Sequence, residues 1–222
     1  IFAKETIGGE VRYKAHVAGG ARWLGVDQLA PYSGKFVFLL DKLRNSEGVS
    51  FVYTRFINAG ALPLALVLEA NGYTPYGRRS GILGDGIQTP GGRQCALCTM
   101  RETEHKKTEG AGHAFTPAYY GLLTGDITLS PKNADIIKAE QNVANVYGGK
   151  LKVVVGSQVA SEGVDLRFVR EIHVLDSWFH LNKTEQILGR GIRYRSHCHP
   201  DLPVEKRNTT IYPVSYTHLT LP

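Results

Sequence analysis

Sulfur is scarce in this chain, with three cysteines and one methionine in 222 residues. An odd, sparse set of cysteines does not build a disulfide framework, so the chain reads as an intracellular one. Long apolar runs are also missing, since no stretch reaches the ~18 residues of a membrane span. A phosphate-cradling Gly-x-x-x-x-Gly-Lys-Ser/Thr loop is absent: Gly34-Lys35 runs into Phe36, and Gly149-Lys150 runs into Leu151. No Asp-Glu pair closes an apolar strand in the way that would hold Mg²⁺ beside a nucleotide. These two absences exclude a self-sufficient nucleoside triphosphatase site. Internal repeats and low-complexity segments are absent as well.

What is present is an ordinary globular composition, 42% hydrophobic, long enough for one large domain or two small ones. Lys and Arg outnumber Asp and Glu by 26 to 20, and the resulting +6 charge suits a nucleic-acid or nucleotide partner. The chain opens on Ile1 in the middle of a pattern, which leads us to expect a fragment. Its last residues, 215–222, read Ser-Tyr-Thr-His-Leu-Thr-Leu-Pro and resemble a translated sequencing-adapter tail, so they are set aside as non-native.

Residues 1–30 are rich in Gly and Ala with weak periodicity, and an irregular lead-in is expected there. Apolar spacing predicts a short helix over 36–43, a buried strand over 49–54 and a helix over 62–70 that stops at Asn71-Gly72. Residues 77–116 break the pattern. They are rich in Gly, hold Cys95 and Cys98, and are too long for a plain connection, so we expect an insertion. Strands are predicted over 118–123, 151–156, 171–176 and 209–214, with helices over 133–147 and from a capping box at Asn182 to Ile192. Strands alternating with helices predict an α/β fold with a doubly wound, mostly parallel sheet and helices on both faces.

Four short patterns carry chemistry. Gln186-Ile-Leu-Gly-Arg190-Gly-Ile-Arg193 places two arginines on neighbouring faces of one helical turn. Arginine is always charged and binds phosphate bidentately, so that spacing suits two guanidinium forks on one anionic group. Tyr53-Thr54-Arg55 follows a strand, where hydroxyls and a guanidinium can hold a nucleic-acid phosphate. Ser157-Gln158 and then Glu162-Gly163-Val-Asp165 follow another strand. There Gly163 permits close backbone approach and Asp165 can accept from a ribose hydroxyl. Cys95-x2-Cys98, with His105 and His113 downstream, offers four ligands of the type that zinc takes in closed structural sites. Beyond the Cys pair the spacing is irregular, and His197, Cys198 and His199 are alternative ligands.

Taken in order, Tyr53-Thr54-Arg55, Ser157 to Asp165 and Gln186-x-x-Gly-Arg190-x-x-Arg193 resemble motifs IV, V and VI of superfamily 2 helicases and translocases. Further stretches, Ala59 to Tyr73, Leu123-Thr-Gly-Asp126 and Gly191 to His197, are similar to the Snf2-related helicases of large cytoplasmic DNA viruses. This is the group of the poxvirus early transcription factors and nucleoside triphosphatases. The resemblance covers about residues 31–214 and implies a RecA-like C-terminal domain with a Gly/Cys-rich insertion. It implies ATP with Mg²⁺ between two lobes, with the metal held mainly by a separate N-terminal RecA-like lobe. Arg190 and Arg193 would then act as arginine fingers, Gln186, Glu162, Gly163 and Asp165 would contact ATP, and Tyr53, Thr54, Arg55, Ser157 and Gln158 would grip DNA or RNA. Partners would include viral transcription machinery, in the host cytoplasm or the virion. A non-catalytic nucleic-acid or transcription-complex scaffold of the same fold is the alternative.

Overall fold

The computed structural model describes residues 2–17, 19–84, 89–108, 112–158, 164–176 and 181–214. Glu162 and Gly163 lie outside these residues, as does the 215–222 tail. Six parallel strands form one sheet: β3 (Val49–Tyr53), β4 (Thr74–Pro75), β5 (Tyr119–Leu123), β6 (Val153–Gly156), β7 (Val169–Val174) and β8 (Thr210–Pro213). Their spatial order is β4-β5-β6-β3-β7-β8. Strand β3 thus sits between β6 and β7. The chain crosses from β3 to the edge strand β4, returns inward through β5 and β6, and then continues outward on the other side through β7 and β8. Such a switch point opens a ligand crevice at the carboxyl ends of the strands in doubly wound sheets.

The strand sequences explain why both faces are covered. Along β3, Val52 faces one apolar cluster while Phe51 and Tyr53 face the other. On β6, Val153 and Val155 join the first cluster and Val154 the second. This is the period-2 alternation of a sheet buried on both sides, which reads in sequence as a continuous apolar run. The first face is covered by α2 (Gly34–Asn45), through Leu39, Leu40 and Leu43, and by α3 (Leu62–Ala70). The second is covered by Ile136 of α5 (Asn133–Glu140) and Ile187 of α6 (Leu181–Gly191). The expected RecA-like, doubly wound sheet is the observed fold, and among the described residues it is wholly parallel.

Three elements differ from the sequence reading. The lead-in is not irregular: β1 (Phe2–Ile7) and β2 (Glu10–Ala15) form an antiparallel hairpin, followed by the short helix α1 (Val26–Leu29). The hairpin turn is Gly8-Gly9, with φ of 60° and 81°, a backbone that two consecutive glycines adopt without strain. The hairpin is tied down where Tyr13 exchanges backbone hydrogen bonds with Ile82 and Gly84. The helix expected over 133–147 stops at Glu140, because the Asn142 side chain accepts from Ala144 N and starts a separate 3₁₀ turn. Strand β7 starts at Val169, two residues before the expected Glu171.

Candidate functional site

The carboxyl ends of β3 and β7 meet at a small polar cluster. Thr54 Oγ1 donates to Asp176 Oδ2 at 2.6 Å, and Arg55 N donates to the same oxygen at 3.3 Å. Lys35, in the first turn of α2, reaches over to donate to Leu175 O at 3.0 Å. The Arg55 guanidinium lies 4.5 Å from the centre of the half-exposed Phe56 ring. Gln158 is exposed just past the end of β6. Burial divides the expected strand-gripping set. Tyr53, Thr54 and Ser157 are buried at 1%, 0% and 2% exposure, with Thr54 engaged by Asp176. Arg55 and Gln158 remain accessible. Sequence reasoning missed Asp176 and Lys35, and their only signal was a carboxylate ending one strand and a lysine opening one helix.

The two arginines gather elsewhere. The segment leading into β7 passes the last turn of α6, where Leu166 N donates to Arg190 O at 3.1 Å. At that crossing Arg193 Nη1 donates to Asp165 Oδ2 at 2.6 Å, and Arg190 Nη1 lies 3.9 Å from Asp165 Oδ1. Gln141 Nε2 holds the Asp165 carbonyl at 2.6 Å, and Glu140 Oε1 accepts from Arg167 N at 2.8 Å. The Asp165 backbone is thereby pinned to the end of α5. All three side chains of the cluster keep access to solvent, with Arg190 at 22%, Arg193 at 45% and Asp165 at 50% exposure. One detail corrects the sequence reading. Helix α6 ends at Gly191, so Arg193 lies beyond it and not on the same turn as Arg190. The sequence spacing places a strand before the motif, and the structure brings its Arg190 beside the segment leading into β7. Gly191 packs closely there: a Cβ would stand 2.9 Å from Ile172 Cδ1 and 3.4 Å from Val169 Cγ1, so a larger residue would need the Ile172 side chain to shift. Gln186 is exposed on α6.

A third cluster lies in the insertion. One ligand atom each of Cys95, Cys98, His105 and His113 lies within 4.8 Å of all the others, and among the described residues this is the one such Cys/His group. His105 sits on the six-residue helix α4 (Glu102–Lys107). Of the alternative ligands, His197 Nε2 contacts Val169 O at 2.8 Å, His199 contacts Asp201, and Cys198 is exposed. Burial works to raise the Cys95 thiol, but the backbone N–H groups of Thr116 and Leu97 and the Cys98 thiol outweigh it and hold Cys95 below the ordinary thiol range. Burial pushes Cys98 up.

Comparison with known proteins agrees with this architecture. Residues 98–195 match the family described as helicase conserved C-terminal domain. A protein of Acanthamoeba polyphaga mimivirus named as an ATP-dependent RNA helicase is 31% identical over 183 residues, which is 76% of this chain and 16% of that one. An early transcription factor large subunit homolog of African swine fever virus is 28% identical over 192 residues, or 84% of this chain and 16% of that one. A protein of Invertebrate iridescent virus 3 named as a helicase is 26% identical over 173 residues, covering 76% of this chain and 14% of that one. The chain therefore spans 16% or less of the length of each of these relatives. No helix among the described residues is long and apolar enough to cross a membrane. With its six parallel strands, its matched segment and these relatives, the chain is a RecA-like α/β domain similar to the C-terminal domain of superfamily 2 helicases.

Proposed function

We propose that this chain is the C-terminal lobe of an ATP-dependent nucleic-acid helicase or translocase of the Snf2-related viral kind. ATP would lie between it and an N-terminal lobe of the same parent protein. The observation that carries this reading is the convergence of Arg190 and Arg193 on a single carboxylate, that of Asp165. Two guanidiniums that already share one anion form a donor set suited to a phosphate group, because each fork can give two parallel hydrogen bonds. Asp165 stands where a competing anion would bind, and it holds the forks in place when none is there. When ATP with Mg²⁺ is bound, the arginines stabilise charge on the transferring phosphoryl group, and the other lobe holds most of the metal's ligands. Gln186, exposed on the same helix, contacts the nucleotide.

Nucleic acid, DNA or RNA, is the partner proposed for the other edge. Arg55 and Gln158 present a cation and an amide at adjacent strand ends, and Lys35 adds a second cation nearby. Closing the cleft around ATP would then move this edge relative to the other lobe's grip on the strand. The African swine fever virus relative, named as an early transcription factor large subunit homolog, motivates a place in viral transcription.

The test is steady-state ATPase of the full-length parent carrying Arg190→Ala or Arg193→Ala, with and without nucleic acid. We expect turnover to fall by about 10³-fold or more with nucleotide affinity close to normal, since an arginine finger acts mainly in the transition state. Lysine substitutions should rescue poorly, because lysine lacks the planar fork. Near wild-type turnover in both variants would overturn the arginine-finger roles. A parent with no ATPase at all would place the chain in a non-catalytic scaffold.

A further inference from the structure

Between Leu83 and Ala118, the only buried apolar side chains among the described residues are Cys95 and Ala96. The described part of this segment has no hydrophobic core of its own. Its centre is occupied by two thiols and two imidazoles. We propose that Cys95, Cys98, His105 and His113 form a closed structural zinc site that supplies the missing core of this insertion.

Several observations support the site independently. The four ligand atoms lie within 4.8 Å of one another. A tetrahedral zinc with Zn–S near 2.3 Å and Zn–N near 2.0–2.1 Å has ligand separations of about 3.3–3.8 Å, so closure needs shifts of about 1 Å. Both His105 Nε2 and His113 Nε2 are buried without a hydrogen-bond partner, which is costly for an imidazole unless something binds it. His113 Nδ1 lies 2.9 Å from Ala114 O. A carbonyl only accepts, so Nδ1 carries a proton, and in the neutral imidazole Nε2 then keeps its lone pair. This is the tautomer-fixing outer contact that ligating histidines usually make.

The turn bearing the cysteines is also prepared. The buried Gln94 side chain donates to the carbonyls of Cys95 and Cys98 at 3.3 Å and of Met100 at 3.4 Å, and Cys95 N donates to Met100 O at 3.1 Å. These bonds bend residues 95–100 into a tight knuckle with both sulfurs on one side. Helix α4 follows directly and brings His105 back over them. Thiolate with imidazole in tetrahedral geometry selects zinc over the oxygen-seeking Mg²⁺ and Ca²⁺. The site would then fasten the insertion to the domain. Gln94 exchanges backbone bonds with Gly72 and Ala118 at the sheet edge, and Arg44 Nε of α2 donates to Thr99 O at 3.0 Å.

The experiment is metal analysis of the 222-residue chain purified under reducing, chelator-free conditions. About one zinc per chain is expected. Cobalt exchanged into the site should give the absorption of a tetrahedral centre with thiolate-to-metal charge transfer. Cys98→Ser and His113→Ala should lose the metal, while Cys198→Ser should keep it. Zinc should protect two of the three thiols from alkylation and leave Cys198 reactive, a readout on the wild-type chain that does not depend on the variants folding. Metal-free protein that gives no cobalt spectrum, or a Cys95–Cys98 disulfide in the reduced preparation, would overturn the proposal.

Discussion

At the last turn of α5 the Glu140 carboxyl is fully buried, with Oε1 accepting from Arg167 N at 2.8 Å and Oε2 meeting no donor. Burial pushes its pKa up to about 8 from an ordinary 4.5, and the Arg167 N–H offsets only part of that. The folded chain therefore keeps this proton to higher pH than the unfolded one. Between about pH 4.5 and 8, folding takes up a proton, so stability falls as pH rises by about 1.4 kcal/mol per unit and levels off above that range. Lys152, which burial lowers to about 8, works the other way above pH 8. Comparing Glu140→Gln with wild type isolates the carboxyl. We expect the variant's advantage to grow between pH 5 and 8 in urea midpoints and to stay constant above. A difference that does not change with pH would mean that Glu140 ionises normally. The consequence reaches the arginine cluster, because Arg167 lies two residues past Asp165. At this scale residue type was legible for Arg190, Arg193 and Asp165, while their spacing was not, because α6 ends before Arg193. The sequence was not legible where tertiary contact decides. Nothing in Tyr53-Thr54 says that both side chains turn inward, or that Thr54 bonds to Asp176 across the sheet.

Helix α2 is the element best explained by its own residues. Ser33 Oγ accepts from Phe36 N at 3.2 Å, and Lys42 and Arg44 lie in the last turn, where positive charge complements the helix dipole. Ser33→Ala should cost about 1 kcal/mol in chemical denaturation, and Ser33→Asp should restore most of it. No loss in the alanine variant would mean that water replaces the cap. Lys35 sits in the first turn, so fraying there should also loosen its bond to Leu175 just past the carboxyl end of β7. Other elements were legible in proportion to their apolar content. The run Leu62–Ala70 and the strands at 49–53 and 153–156 carry signals that burial on both faces makes continuous. The β1–β2 hairpin escaped because in β1 Lys, Glu and Thr interrupt the apolar residues without a clear period, although the alternation of Glu10 to Ala15 and Gly8-Gly9 before it were the available signals. Helix α5 was overextended because periodicity ran on through Val143 and Val146, while the competing Asn142 cap is a local hydrogen bond that periodicity does not register.

Across the whole lobe, two charged regions occupy different places on one sheet: Arg190 and Arg193 beside the start of β7, and Lys35, Arg55 and Gln158 at the strand carboxyl ends. If the second region holds nucleic acid, this chain alone makes only a few phosphate contacts, and its affinity should be low and steeply dependent on salt. Each phosphate neutralised contributes a slope of about 0.7 for single strands or about 0.9 for duplex in log K against log salt. Removing Arg55 should therefore flatten the slope by about one such unit and weaken binding equally for unrelated sequences. Asp176 bears on the same measurement, because Arg55 N and Thr54 Oγ1 both donate to its Oδ2 and fix the turn that carries the arginine. Asp176→Asn should keep the overall fold and lower affinity less than Arg55→Ala does, since it removes order and not the cation. Fluorescence anisotropy with labelled single-stranded and duplex oligonucleotides at several salt concentrations measures all of this. A slope unchanged in Arg55→Ala, or binding that prefers one sequence, would show that the strand is held elsewhere in the molecule.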